Sequence, residues 1–195
     1  MSFASSQAIP RRERERERTE STGVECISRL LNLTTKAETQ MGSRPDFTQA
    51  WNAFSRVHGD GSLDHVGQHI GGRVGLNIES GIFQNACALR MSFVLNTSGV
   101  RISAAAGATV SDNNGFLYLY RIRDLTEYLR KTFGPPDITL SNTNDARLEN
   151  KKGILIFEVP IWNNATGHAT LWNGYQCSDR CYFSQSSRIL FWELI

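Results

Sequence analysis

The sequence predicts an α+β domain in which early helices pack on one antiparallel sheet built from later strands. Apolar residues recur at helical spacing in the first half of the domain, whereas short runs rich in β-branched and aromatic residues dominate the second half. Helices and strands are therefore segregated along the chain, which is typical of α+β folds rather than alternating α/β folds.

Composition and charge narrow the possible functions. The 195 residues are 40% apolar and 21% charged, as in globular proteins. A formal net charge of +2 is too small to indicate a nucleic-acid partner by bulk electrostatics. No apolar stretch approaches the ~20 residues of a membrane span, and no secretory signal sequence is recognisable. If the protein acts outside the cell that makes it, we expect export by another route.

Residues 1–44 are predicted to be a polar extension that precedes a domain at residues 45–195. Residues 11–18 are all Arg or Glu, which favours a solvated tail or a single helix. A short apolar patch follows at helical spacing, and its residues are Val24, Ile27, Leu30, Leu31 and Leu33; Cys26 lies in the same segment. The patch indicates either a docking helix or translated sequence upstream of a start at Met41. We favour a dispensable extension.

Two segments open the predicted domain. Asp46 is expected to cap a helix with an apolar face, which ends at the Gly-Asp-Gly sequence of residues 59–61. Residues 71–81 contain four glycines, which predicts a loop that approaches other backbone closely. This segment lacks the Gly-Lys-Ser/Thr ending of a phosphate-binding loop.

Two more helices and four strands follow. Asn85 is predicted to cap a helix over residues 86–95. Asp124 and Glu127 resemble the capping box of another helix, which Gly134 and two prolines should end. Strands are predicted at residues 116–122, 153–159, 168–172 and 188–194.

Cys87 is the candidate nucleophile. Amide hydrolysis by a thiol needs a thiolate, a neighbouring base and a third group that orients the base. Cys87 occupies the first turn of its predicted helix, where unpaired amides and the helix dipole favour an anion. Its backbone amide could also donate to an oxyanion. The competing interpretation is a small buried core residue, as free cysteines often are.

Three neighbours of Cys87 could assist it. Gln84 or Asn85 could supply a second oxyanion donor, although a capping role is favoured for each. Arg90 lies one helical turn after Cys87 and could meet a substrate carboxylate. For Arg90, a surface position or a structural ion pair is favoured.

His168 and Asp179 are the candidate base and orienting acid. His168 opens a predicted strand, and Asp179 follows eleven residues later, beyond a turn expected at Asn173 and Gly174. The two side chains could therefore meet across a hairpin. The order of a helical Cys, a strand His and a later third residue is that of the papain-like arrangement.

The remaining histidines and cysteines offer weaker sites. His65 and His69 are four residues apart, but the Glu of a zinc-protease motif is missing, which favours a surface role. Cys177 and Cys181 form a close pair without the further ligands that a zinc site needs. A local disulfide is the favoured interpretation, and it would indicate an oxidising destination.

Longer motifs carry a family resemblance. They are IGGRVGLN at residues 70–77, FQNACALRMS at 83–92, GHATLWNG at 167–174 and CSDRC at 177–181. On these residues the chain resembles the family 4 amidase effectors of type VI secretion systems, which are related to the NlpC/P60 papain-like cysteine peptidases. The resemblance extends from about Pro45 to the C-terminus and excludes residues 1–40.

The resemblance implies a papain-like NlpC/P60 fold and a specific reaction. The family cleaves cell-wall peptidoglycan between the γ-carboxyl of D-glutamate and meso-diaminopimelate, without a metal or cofactor. Cys87 would be the nucleophile, His168 the general base and then acid, and Asp179 the third member. Cys177 and Cys181 would form the family's disulfide.

The resemblance also implies an antibacterial toxin and a protein partner. A cognate immunity protein would block the site in producing cells. Injection into target bacteria would explain export without a signal peptide and action in the periplasm and cell wall. Two alternatives stay open: a Cys-His-Asp acyl-transfer enzyme with another substrate, and a catalytically silent wall-binding module.

Overall fold

The computed structural model describes residues 42–141, 146–160 and 167–195. The predictions for the N-terminal extension, including its docking helix and Cys26, lie outside these residues. The division of the chain at residue 45 stays a prediction. In the described part of the chain, every helix is too short or too polar to cross a bilayer.

The described residues contain five α-helices and six β-strands. The helices are α1 (Phe47–His58), α2 (Leu63–Ile70), α3 (Gly72–Glu79), α4 (Cys87–Thr97) and α5 (Ile122–Phe133). The strands are β1 (Thr109–Ser111), β2 (Leu117–Leu119), β3 (Ile138–Leu140), β4 (Gly153–Glu158), β5 (Gly167–Trp172) and β6 (Arg188–Glu193). The last three strands confirm the sequence prediction, whereas the strand predicted at 116–122 shortens to β2.

Four strands form one antiparallel sheet in the order β3-β6-β4-β5, so β5 lies at an edge. Successive side chains of β4 point to opposite faces. Ile154 and Ile156 pack with the helices, whereas Leu155 and Phe157 pack on the other face. The pairing register places His168 of β5 opposite Phe157. The predicted α+β arrangement, with helices packed on an antiparallel sheet, is confirmed.

Helix α4 is the central helix, because it is buried on nearly all sides and contacts α1, β2 and β5. Two of its buried polar side chains are hydrogen-bonded to β2. The Ser92 hydroxyl donates to the Leu119 carbonyl at 3.1 Å and accepts from the Leu119 amide at 3.0 Å. The Asn96 amide donates to the Leu117 carbonyl at 2.8 Å. These bonds hold α4 against β2.

The glycine-rich segment at residues 71–81 is mainly helix α3, so the loop prediction was wrong. Gly71 and Gly72, with φ of 72° and 57°, form the tight turn between α2 and α3. A Cβ on Gly75 would lie 2.8 Å from the carbonyl oxygen of Gly67 on α2. Close helix–helix packing therefore outweighs the low intrinsic helix propensity of glycine.

The helix ends differ from the prediction in two cases. Asp46 caps α1 and accepts the amide three residues later at 2.8 Å, as expected. Asn85 is not the N-cap of α4, because Ala86 holds that position without a side-chain cap bond. The capping box predicted at Asp124 is also absent, since α5 begins two residues earlier, at Ile122.

Candidate active site

Cys87 is the first residue of α4, where this helix meets the edge strand β5. Its thiol lies 3.9 Å from the carbonyl oxygen of Gly167, and the residue exposes 8% of its surface. At the first helical position, its backbone amide has no partner within α4. Cys87 is the one free cysteine among the described residues. The thiol and a backbone donor are thus presented at the positive end of a helix dipole.

His168 and Asp179 are hydrogen-bonded to each other beside Cys87. The Nε2 atom of His168 lies 3.0 Å from Oδ1 of Asp179, and both side chains are almost completely buried. Because Nε2 binds the carboxylate, Nδ1 is the ring nitrogen left for the thiol. The ring also packs edge-on against Tyr182, with centroids 5.0 Å apart. The structure therefore brings all three predicted residues together.

The electrostatics of the site favour charged forms of both His168 and Asp179. Burial alone lowers the pKa of His168, but the hydrogen bonds and charges of Asp179 and Cys87 raise it to about 9. Burial raises the pKa of Asp179, yet its contacts with His168, Thr170 and the Arg180 amide lower that pKa overall. An imidazolium beside a carboxylate is therefore the dominant state near neutral pH.

Two further hydrogen bonds, besides the one to His168, hold Asp179 in place. The Thr170 hydroxyl and the Arg180 amide each donate to its Oδ1 atom at 2.6 Å. The Ser178 hydroxyl lies 3.0 Å from the Thr170 hydroxyl oxygen. The sequence predictions did not include Thr170. It lies two residues after His168 on the same face of β5, a period-2 relation that is readable from the sequence.

A disulfide between Cys177 and Cys181 encloses the loop that carries Asp179. The chain turns after β5 at residues 173–174, and Trp172 then pairs with Cys177 in a single bridge. The chain reversal predicted from the sequence is therefore present, but as an isolated bridge rather than a second long strand. The disulfide restricts the positions that the carboxylate can adopt next to β5.

The triad residues line a cleft of about 680 Å³, which Gln84 also borders. The capping role expected for Gln84 is absent, because Ala86 is the N-cap of α4 and no side chain caps this helix. A larger cleft of about 880 Å³ shares Gln84 and Asn85 but is lined by no cysteine or histidine. Chemistry rather than size therefore identifies the smaller cleft as the candidate active site.

Arg90 is a buried cation, not the surface or ion-paired residue that was expected. It exposes 9% of its surface and lines the cleft of the candidate active site. One Nη atom donates to the Gly61 carbonyl at 2.8 Å, while Nε is buried without a partner in the described structure. Burial lowers the pKa of Arg90, an effect that the charges of Asp179 and Cys87 oppose.

His58 lines the same wall of the cleft and was not expected from the sequence. Its ring stacks on Phe54, and its Nδ1 atom is buried without a hydrogen-bond partner among the described residues. Burial, with a further contribution from the Arg90 charge, lowers the pKa of His58. The imidazole is therefore neutral near pH 7. No local sequence signal distinguishes His58, because only the fold places it in the cleft.

His65 and His69 lie outside the cleft, on α2. Their rings stack with centroids 5.7 Å apart, and Nε2 of His65 lies 3.0 Å from the Arg56 carbonyl oxygen. Over the described ranges, no three His, Cys, Asp or Glu side chains are arranged to hold a metal ion.

The helices on an antiparallel sheet, with the site at the edge strand, form a papain-like architecture of the NlpC/P60 type. A family profile described as type VI secretion system (T6SS) amidase effector protein 4 matches residues 83–192. The effector Tae4 from Enterobacter cloacae is similar at 40% identity and a TM-score of 0.74, over 80% of this chain and 100% of that chain.

This chain is also similar to solved structures of effector–immunity complexes. The Tae4–Tai4 complex from Salmonella Typhimurium matches at 42% identity and a TM-score of 0.73, over 78% of this chain and 100% of that chain. The Enterobacter cloacae complex matches at 39% identity and a TM-score of 0.73, over 78% and 99%. A comparison with curated proteins gave no match. The chain belongs to the type VI secretion amidase effector 4 family and is therefore an amidase effector.

Proposed function

We propose that the protein is a peptidoglycan DL-endopeptidase that hydrolyses the γ-D-glutamyl–meso-diaminopimelate bond of stem peptides. The observation that carries the proposal is the meeting of Cys87, His168 and Asp179 in one cleft, with the imidazole 3.0 Å from the carboxylate. This arrangement supports acyl transfer by a thiol. Family membership supports the cell wall as substrate.

In the first half of the reaction, His168 already holds the proton taken from the Cys87 thiol, and Asp179 stabilises this imidazolium. The thiolate sulfur attacks the γ-glutamyl carbonyl carbon, and the carbonyl electrons move onto oxygen. The Cys87 amide and the Gln84 side chain are suited to donate hydrogen bonds to this oxyanion. The site needs no metal or cofactor for this chemistry.

In the second half, the imidazolium of His168 gives its proton to the amine of diaminopimelate as the carbon–nitrogen bond breaks. The D-glutamyl group is left as a thioester on Cys87. The neutral imidazole then takes a proton from water, and the hydroxide attacks the thioester. The carbon–sulfur bond then breaks, which releases the γ-carboxylate product and leaves the Cys87 thiolate beside the His168 imidazolium.

The biological role follows from the same assignment. The protein acts as an antibacterial toxin that a type VI apparatus delivers into the periplasm of target bacteria. A structural disulfide suits that oxidising compartment. The similar effectors are found in complexes with immunity proteins. A cognate immunity protein that covers the cleft would therefore protect the producing cell.

The decisive test is a digest of purified diaminopimelate-type peptidoglycan by the full-length protein, read by mass spectrometry. The wild type should release fragments that end at D-glutamate. Cys87→Ala should release none, because it lacks the nucleophile. Cys26→Ser provides the matched control, since it replaces a cysteine of the N-terminal extension, outside the candidate site, and it should retain full activity.

Three other results would contradict the proposal. An unchanged digest from a folded wild type whose Cys87 reacts with thiol reagents would indicate an acyl-transfer enzyme with another substrate. If Cys87 were also inert to thiol reagents, a silent wall-binding module would account for the fold. Equal digestion by wild type and Cys87→Ala would show that another residue is the nucleophile.

A further inference from the structure

Arg90 is a buried charge that forms no salt bridge with the described residues. A buried guanidinium normally pairs with a carboxylate, because burial of an isolated charge is costly. Arg90 exposes only 9% of its surface and makes no ion pair within the described residues. It donates one hydrogen bond to the Gly61 carbonyl, and its Nε atom has no partner in that part of the chain. Such a group in a cleft wall indicates an anionic ligand.

We propose that Arg90 binds the free α-carboxylate of the substrate's D-glutamyl residue, next to the scissile γ-amide. The inference rests on the proposed function, because it is the γ-linkage that leaves this carboxylate unmodified. A guanidinium suits the task, since its planar fork matches a carboxylate with two parallel hydrogen bonds.

The spacing of Arg90 from Cys87 agrees with the shape of the substrate. The two residues are three positions apart on α4 and share a helix face, which is a rise of about 4.5 Å along the axis. In a γ-glutamyl group, four bonds separate the γ-carbonyl carbon from the α-carboxylate carbon, or about 5 Å when extended. A carbonyl at the Cys87 sulfur thus places the carboxylate at the level of Arg90.

His58 provides a second polar group in the same wall. Its ring is neutral near pH 7, and its buried Nδ1 atom has no hydrogen-bond partner within the described structure. A neutral imidazole can donate one hydrogen bond. Arg90 and His58 together would therefore supply the donors that a carboxylate needs when it leaves water.

The competing role for Arg90 is to stabilise the Cys87 thiolate, because its charge also acts on that residue. The two roles predict different responses to the substrate. A carboxylate-binding Arg90 distinguishes an α-carboxylate from an α-carboxamide. A thiolate-stabilising Arg90 affects both substrates equally.

The test compares two synthetic tripeptides, L-alanyl-γ-D-glutamyl-diaminopimelate and the same peptide with the α-carboxylate converted to carboxamide. Wild type should cleave the carboxylate peptide with a kcat/KM roughly 10- to 100-fold higher, as expected for a charge-assisted hydrogen-bonded pair. Arg90→Gln should reduce this preference to within about threefold, mainly by losing activity on the carboxylate peptide. Arg123→Gln, at an exposed position on α5, should keep the wild-type preference.

Each outcome decides between the possibilities. The carboxylate assignment alone would be overturned if wild type cleaved both peptides equally. It would also be overturned if Arg90→Gln lost the same fraction of kcat/KM on both peptides. Cleavage of neither peptide by wild type would overturn the proposed function and this inference with it. If Arg90→Gln does not fold, the wild-type comparison and Arg90→Lys remain decisive. Arg90→Lys keeps the charge without the fork and should show a reduced preference for the carboxylate.

Discussion

Replacing Asp179 with Asn removes one charge from the site while keeping the shape of the side chain. The amide oxygen can still accept hydrogen bonds from Thr170 and the Arg180 amide, so the local fold should persist. The charge that faces His168 at 3.0 Å is lost. In the wild type, burial lowers the pKa of His168, and the contacts with Asp179 and Cys87 overcome this effect and raise it to about 9.

The magnitude follows from the strength of that contact. A hydrogen bond to a charged group contributes about 1.5–3 kcal/mol, and about 1.4 kcal/mol corresponds to a change of one in pKa. We therefore expect Asp179→Asn to lower the pKa of His168 by about one to two. The variant should then lose, at lower pH than the wild type, the imidazolium that protonates the leaving amine.

The assay is the pH dependence of kcat/KM on the carboxylate tripeptide, with the rate of Cys87 alkylation measured in parallel. Wild-type activity should fall as pH rises through about 9, the pKa of His168, and in Asp179→Asn the fall should come earlier. Asp64→Asn removes an exposed carboxylate on α2 and should leave the profile unchanged. Coincident alkaline limbs in wild type and Asp179→Asn would refute the reasoning.

Three further predictions concern stability. The pKa of His168 is about 9 in the folded protein, above its ordinary value of 6.5. The protonated ring therefore contributes its full stabilisation to the folded state below pH 6.5, and this contribution is lost as pH rises through 9. Thermal unfolding should show a loss of up to about 3 kcal/mol over that window, and a flat profile would contradict this. Replacing both Cys177 and Cys181 with Ser should lower the free energy of unfolding by about 2 kcal/mol, because the disulfide closes a short loop; an unchanged urea midpoint would argue against it. Gly167→Ala should be strongly destabilising, since its Cβ would lie 2.1 Å from a carbonyl oxygen of β4. In the matched variant Gly99→Ala the new Cβ lies in open space, so its positive φ should lower the free energy of unfolding by only about 1–2 kcal/mol. Equal melting temperatures of the two variants would refute the comparison.

Local signals in the sequence predicted much of the sheet and of helix α1. The strands β4 to β6 and the cap at Asp46 each depend on residues a few positions apart, so a short window contains the information. The same windows misled at Gly75, where close packing on the preceding helix α2 makes glycine favourable. They also misplaced Asn85, because the start of α4 depends on how that helix packs.

The sequence by itself determined the α+β class, the family resemblance, and Cys87, His168 and Asp179 as residues that could act together. Their roles as nucleophile, base and orienting acid stay predictions that the digest and the pH profile will test. The tertiary structure decided that Asp179 reaches His168 through a disulfide-closed loop and that Arg90 is buried in the cleft without a salt bridge among the described residues. The physical reason is that burial and electrostatic environment arise from elements far apart in the chain. No local pattern of residue types can encode them.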